Sequence, residues 1–191
     1  MITFLGNKNI DIYKEFIEST RHDNPDIIVS CQYPLRIPKG IVNNHICVNI
    51  HYGILPYYAG VNPIYWQIKT SDVAGVTLHY VDNGFDSGDI ISIDTIPIGS
   101  LTADELFKEL EKIGLSLLKK FYKSILNETA PRQIQDLSRQ HYYNKDAVNF
   151  KYAKYTDGLN DKTVRALHFV GKQYPIVTIG DNHYELRKVC E

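Results

Sequence analysis

A mixed α/β fold with a mostly parallel sheet is predicted by three observations. Two compact runs, Asp26–Cys31 (DIIVSC) and Ile46–Ile50 (ICVNI), have the near-continuous apolar character of strands buried on both faces. From Thr102 onward, apolar residues at 106, 107, 110, 113, 117, 118, 121 and 125 recur at helical spacing, the stripe of a helix packed on a sheet. Near the C-terminus, Tyr174–Ile179 and His183–Val189 flank Gly180-Asp181-Asn182, which reads as a separate hairpin.

The elements follow in order. Ile2–Leu5 reads as a short first strand, with Gly6-Asn7 as its turn. Ile10–Thr20 carries apolar residues at 10, 12, 13, 16 and 17, a helical stripe that Asn24-Pro25 ends. DIIVSC follows, and the prolines of Tyr33–Pro38 keep the next stretch a loop. After ICVNI, Asn62 is expected to cap a helix opening at Pro63, the favoured first helical position, and running to about Lys69. Ala74–Val81 and Ile90–Ile98 are strands, and the turn between them carries Asp86. Thr102-Ala103-Asp104-Glu105 is a capping-box pattern, and its helix should end near Asn127, before Pro131. Gln133–Phe150 has no clear period and reads as an extended arm or loop; Asp161–Phe169 reads as a short helix. The chain thus divides into a core over residues 1–130 and a small C-terminal appendage over 131–191, with arm, short helix and hairpin, suited to dimerisation or substrate binding.

Composition narrows the function. At 191 residues the chain is expected to be one domain. Its formal net charge of −1 provides no field that would draw it to nucleic acid or an anionic membrane. No apolar run approaches the ~18 residues of a membrane span. The N-terminal stretch lacks a basic region followed by a long apolar core, so a signal peptide is not expected and a cytoplasmic location is the default. The cysteines are Cys31, Cys47 and Cys190; their odd number and the lack of Cys-x-x-Cys spacing suggest neither a disulfide framework nor a zinc site. No Gly-x-Gly-x-x-Gly, Walker sequence or metal-ligand cluster is present, so nicotinamide, ATP and metal chemistry are not expected.

The residues suited to chemistry lie between Val48 and Ile91. Asn49 and His51 stand at i and i+2, on one face of a strand. Asp86 sits in the turn Asn83-Gly84-Phe85-Asp86-Ser87-Gly88. In an open α/β sheet, ligands bind at the carboxyl ends of the strands, and there these three can converge. Taken singly, each has an ordinary use: Asn49 satisfying loop backbone, His51 a hydrogen-bonded surface histidine, Asp86 a turn residue. Four short patterns in order make the functional reading the stronger one. They are Asn49-Ile50-His51, Leu55-Pro56-Tyr57-Tyr58-Ala59-Gly60, Gly75-Val76-Thr77-Leu78-His79 and Asp86-Ser87-Gly88.

In this order they resemble the formyltransferases that use 10-formyltetrahydrofolate. Asn62-Pro63-Ile64-Tyr65-Trp66 is similar to the branch acting on nucleotide-linked amino sugars. The resemblance spans about a quarter of the chain. It implies a Rossmann-like core with Asn49, His51 and Asp86 as the catalytic set and His79 in support. It also implies that Gln32, Tyr33, Leu35 and Arg36 cradle the folate, with Asp86 touching it. Tyr57, Tyr58, Asn62 and Tyr65 are the expected acceptor contacts, with nucleotide contacts from the Lys151–Arg165 region; Trp66 is expected on the buried helix face. Gly60 permits a tight turn. A homodimer is expected through the C-terminal third, where Tyr142, Tyr143, Tyr152, Tyr155 and Tyr174 crowd; intrachain packing of these rings is the alternative. Only about 25 residues precede DIIVSC, fewer than the family's N-terminal part usually holds.

Formyl transfer to an amine requires that the amine lose a proton, that the tetrahedral oxyanion meet donors, and that the folate nitrogen leave protonated. Asn49 suits the oxyanion. His51 suits it as imidazolium, or takes the proton as imidazole. Asp86 orients His51 or accepts a proton itself. The residues alone do not divide these roles. The rival readings are a glycinamide-ribonucleotide (phosphoribosylglycinamide) formyltransferase, from which the NPIYW segment departs, and a methionyl-tRNA formyltransferase, whose basic C-terminal domain this chain has neither the length nor the charge to supply. A non-catalytic folate- or nucleotide-sugar-binding protein is opposed by the intact Asn49, His51 and Asp86.

Overall fold

The structure, a computed structural model, describes residues 2–6, 13, 27–144, 161–169, 175–179 and 182–186. In chain order the strands are β1 (Ile2–Gly6), β2 (Ile27–Cys31), β3 (Ile46–His51), β4 (Ala59–Gly60), β5 (Val73–Tyr80), β6 (Ile90–Pro97), β7 (Tyr142–Tyr143), β8 (Ile176–Ile179) and β9 (Asn182–Glu185). The helices are α1 (Lys39–Val42), α2 (Pro63–Thr70), α3 (Ala103–Leu126) and α4 (Asp161–Leu167). The central sheet has the order β1-β2-β3-β5-β6. Its first three strands are parallel, and β5 and β6 each run antiparallel to their inner neighbour. The mixed α/β class read from the sequence is the observed one. Every residue of β2 is buried, as its unbroken apolar run requires.

Helix α3 covers one face of the sheet with Leu106, Leu110, Leu117, Leu118, Tyr122 and Ile125. At Gly114 it approaches β3 so closely that an added Cβ would sit 2.7 Å from Ile50 Cγ2. Its start is fastened as the sequence predicts: the Glu105 carboxylate accepts from the Thr102 backbone N–H at 2.8 Å and from the Thr102 hydroxyl at 2.9 Å. Asn62 departs from expectation. It has φ 59 and makes no side-chain cap bond, so it is a left-handed bend residue and Pro63 alone sets the helical φ.

Of the predicted helix over Ile10–Thr20, only Tyr13 falls within the described residues, and it is fully buried. The arm after Pro131 forms a 3-10 turn at Leu137–Arg139 and then β7, which pairs in parallel with β4. Tyr143 packs within the chain, its ring 4.3 Å from that of Trp66 and 6.3 Å from that of Tyr58; Tyr142 lies beside Phe85. Tyr152, Tyr155 and Tyr174 lie outside the described residues. Helix α4 docks on the core through Lys162 to Asp72 at 2.7 Å, Arg165 Nη1 to the Leu101 carbonyl at 3.0 Å, and His168 Nδ1 to Asp104 Oδ1 at 3.3 Å. Strands β8 and β9 pair antiparallel as a separate two-stranded sheet; Gly180 and Asp181, between them, lie outside the described residues. Among the described residues, no helix is long and apolar enough to cross a membrane.

Candidate active site

Strand β3 brings Asn49 and His51 to one face, and antiparallel β5 sets His79 directly opposite Asn49. That register explains the 3.1 Å contact between Asn49 Nδ2 and His79 Nε2. Asp86 returns from the turn after β5 in a left-handed conformation, φ 51, which points its carboxylate back at the strand ends. Asp86 Oδ1 lies 3.7 Å from His51 Nδ1 and 3.7 Å from His79 Nε2. Its other oxygen accepts the Gly60 backbone N–H at 2.8 Å.

Carbonyls only accept hydrogen bonds, which fixes both imidazoles. His79 Nδ1 is 2.7 Å from the Tyr80 carbonyl, so Nδ1 carries the hydrogen and Nε2 presents a lone pair. That lone pair accepts from Asn49 Nδ2 and thereby sets which way the amide faces. Burial pushes the His79 imidazolium down to about 4, against a smaller upward pull from Asp86, so the ring is neutral near pH 7. The second Nδ2 hydrogen of Asn49 is left for another acceptor. His51 Nε2 donates to the Tyr58 carbonyl at 2.6 Å, so His51 Nδ1 is the nitrogen that faces Asp86. Burial pushes the Asp86 carboxyl up, but His51, His79 and the Gly60 N–H together outweigh it and hold it below the usual carboxylate range. The 3.7 Å separations exceed a hydrogen bond, so the carboxylate stands between the two rings with room for a donor.

Buried side chains hold this arrangement from behind. Thr77 donates to the Gly53 carbonyl at 2.6 Å and accepts the Leu55 N–H at 3.1 Å, pinning the loop after His51 to β5. Gln67, fully buried on α2, joins the Tyr52 carbonyl and the Gly75 N–H, at 2.9 Å each. Beneath, Tyr52 OH accepts from Cys31 Sγ at 3.5 Å and lies 3.4 Å from Tyr13 OH. Burial pushes the Cys31 thiol up to about 12, so this cysteine is a packing group, not a nucleophile.

A cavity of about 710 Å³ opens over the strand ends. Asn49, His51, His79 and Asp86 line it. One wall is the Gln32–Ile37 loop, including Gln32, Tyr33, Leu35 and Arg36; another holds Asn62 and Tyr65, and Tyr52, Phe107 and Phe169 add an aromatic surface. Tyr57 and Tyr58 are not among the lining residues. Tyr58 lies against Tyr143 and bonds Thr70 through its hydroxyl at 3.1 Å; Tyr57 lies under the Arg139 guanidinium at 5.0 Å. Lys162 and Arg165, from the region expected to hold a nucleotide, are engaged in docking α4; residues 151–160 lie outside the described part. The sequence reading made His79 only a supporting residue, although pairing the ICVNIH and VAGVTLHY strands antiparallel sets it opposite Asn49. Phe107 and Phe169 gave no signal beyond helical periodicity.

Residues 7–121 match the formyl transferase family model, and the chain belongs to that family. It is 34% identical over 160 residues to the methionyl-tRNA formyltransferase of Clostridioides difficile (strain 630), a match that covers 76% of this chain and 52% of that one. The chain therefore spans about half the length of that curated relative. Among solved structures, it is 27% identical to the N-formyltransferase from Helicobacter canadensis in complex with folinic acid and dTDP-3-aminofucose, with a TM-score of 0.71, covering 86% of this chain and 62% of that one. The methionyl-tRNA formyltransferase from Clostridium thermocellum shares the fold at a TM-score of 0.79 and 19% identity, over 100% of this chain and 92% of that one.

Proposed function

We propose that this protein transfers the formyl group of 10-formyltetrahydrofolate to the primary amine of a nucleotide-linked amino sugar. The observation that carries the transfer chemistry is the fixed Asn49 amide: its lone-pair partner His79 leaves one N–H for the oxyanion beside the cavity. In the reaction the acceptor nitrogen bonds to the formyl carbon while that carbon's oxygen becomes anionic. His51 Nδ1 takes the proton shed by the amine, and the Asp86 carboxylate stabilises the resulting imidazolium. The carbon–nitrogen bond to the donor then breaks, and His51 returns its proton to the departing nitrogen. No net proton is gained or lost by the enzyme.

The folate lies against Gln32, Tyr33, Leu35, Arg36 and Asp86 in this reading, and the sugar against Asn62 and Tyr65. The amino-sugar acceptor is supported by the likeness to the Helicobacter canadensis enzyme. A second acceptor, methionyl-tRNA, is favoured by the 34% identity to the Clostridioides difficile enzyme. One experiment separates them. The protein is incubated with 10-formyltetrahydrofolate and, in parallel, nucleotide-linked amino sugars, glycinamide ribonucleotide and methionyl-tRNA, and product masses are read. A formyl group gained only by a nucleotide sugar supports the proposal. One gained only by either other acceptor replaces its second half, and none on any acceptor overturns it.

A further inference from the structure

The turn that carries Asp86 has little backbone support of its own. Among the described residues, no backbone–backbone hydrogen bond anchors residues 82–88. The Asp82 carboxylate caps the turn from outside, accepting from the Gly84 N–H at 2.8 Å and from the Ser87 hydroxyl at 2.8 and 3.0 Å. On its inner side stands Gln135, from the arm that follows α3. Gln135 is 7% exposed, and its Nε2 donates to the Asp86 carbonyl at 3.0 Å and to the Gly88 carbonyl at 2.7 Å. Both hydrogens of that amide are committed to this one turn, while its buried Oε1 has no partner among the described residues. A buried amide oriented so that its two hydrogens are satisfied at the expense of its oxygen marks the turn as the group being held.

The same arm also holds the other partner of Asp86. Gln133 pairs with Ile90 through two backbone bonds, at 2.8 and 2.9 Å, which fixes where Gln135 sits. Further on, His141 donates to the Pro56 carbonyl and accepts from the Ala59 N–H, both at 3.1 Å; Val61 N–H donates to the Tyr143 carbonyl at 2.8 Å. Strands β4 and β7 thus hold Gly60, whose N–H meets Asp86 Oδ2. One stretch, residues 133–143, fastens both ends of the Gly60–Asp86 hydrogen bond.

We propose that Gln135 is a positioning residue for Asp86, and that the 133–143 arm is a working part of the active site. Gln135 touches no reacting atom. It sets the left-handed turn that brings the carboxylate within 3.7 Å of both imidazoles. Its effect on catalysis rests on the role given to Asp86 above; the positioning itself does not, and the test keeps the two apart.

The test compares wild type with Gln135→Met, of similar length but without donors, and with Gln135→Glu, whose carboxylate faces two carbonyls. The first readout needs no substrate: the titration of the Asp86 carboxyl carbon followed by NMR. The groups facing Asp86 are His51 on β3, His79 on β5 and the Gly60 N–H on β4, and all three favour its ionised form. Releasing the turn withdraws them, so the Asp86 midpoint rises in Gln135→Met. The second readout is turnover: kcat falls on the order of 100-fold, the scale of an ångström's misplacement, with KM for the acceptor little changed. An Asp86 midpoint unmoved in both folded variants overturns the positioning role. A moved midpoint with wild-type kcat leaves that role standing and overturns the catalytic role of Asp86 instead. If Gln135→Met does not fold, Gln135→Glu carries the same comparison.

Discussion

Asn49 and His79 face each other across antiparallel β3 and β5, and the neutral ring of His79 sets the orientation of the Asn49 amide through a 3.1 Å contact. A histidine is more useful here than a second amide, because the Tyr80 carbonyl forces its tautomer and leaves a single acceptor for Asn49. The first prediction concerns Asn49 itself. Asn49→Ala removes an oxyanion donor and should lower kcat on the order of 100- to 1,000-fold, with little effect on thermal stability. Single-turnover kinetics with a confirmed acceptor checks this; a wild-type rate would remove Asn49 from the chemistry.

The second prediction is a stability dependence on pH. The folded His79 has its pKa lowered from 6.5 to about 4. Between those values the unfolded chain binds a proton at this position and the folded chain does not. Stability contributed here is therefore complete above about pH 6.5 and falls as pH drops towards about 4, by on the order of 3 kcal/mol. Urea unfolding across this window should show that slope in wild type, and His79→Gln should flatten it. Equal slopes in the two proteins would show that His79 is not the group refusing the proton.

The third prediction concerns the pair that handles the proton. His51→Ala and Asp86→Asn should each reduce turnover by ~100- to 10,000-fold, the usual cost of losing a positioned acid–base group. Because the Asp86 carboxyl is held below the ordinary range, it stays ionised, and able to stabilise the His51 imidazolium, until pH falls through its lowered value. An Asp86 carboxyl that titrates, by carbon NMR, at or above the pKa of a free carboxylate would contradict this assignment.

How much of this was legible in the sequence depends on how local each signal is. DIIVSC and ICVNI read as buried strands because a strand covered on both faces has no polar alternation to confuse, and both are where expected. The α3 start was legible because Thr102 and Glu105 satisfy each other within one turn. Asn49, His51 and Asp86 were singled out by order and spacing, since Asn49 and His51 share a strand and Asp86 lies in the turn after the next one, and the fold brings the three together. What failed was non-local. Asn62 looks like a cap by composition, but the bend before α2 takes it into φ 59. Tyr58 adjoins the site in sequence, yet its ring turns away to stack on Tyr143, a residue 85 positions later. Gln135 stands in a segment without periodicity, and nothing short of the folded arm reveals that it reaches the Asp86 turn.

The fourth prediction separates fold from site. Thr102 is 3% exposed, and its hydroxyl also reaches Asp104 Oδ1 at 2.8 Å. Thr102→Ala should cost about 1 kcal/mol of stability, the usual price of a helix N-cap, while leaving kcat unchanged. Chemical denaturation with a parallel rate measurement checks both halves. A reduced kcat in a fully folded Thr102→Ala would mean that the α3 start is coupled to the site after all.

The last prediction tests the β4–β7 pairing that joins the arm to the active site. Gly60 has φ +91, a conformation that costs an L-residue about 1–2 kcal/mol. A Cβ there would overlap the Tyr143 carbonyl, which is backbone and cannot rotate aside. Gly60→Ala must therefore push β7 away, rotate the Gly60 peptide, or do both. Either movement withdraws the N–H that Asp86 Oδ2 accepts at 2.8 Å. Stability and activity should then fall together, unlike the separable effects at Thr102 and Asn49. The Asp86 carboxyl should also titrate higher than in wild type, because one of the groups that favour its ionised form has gone. Denaturation, turnover and carboxyl titration on the same preparation test this in one series. Loss of stability with an unmoved Asp86 titration would show that the Gly60 N–H contributes nothing to the carboxylate, leaving the two imidazoles as its principal partners.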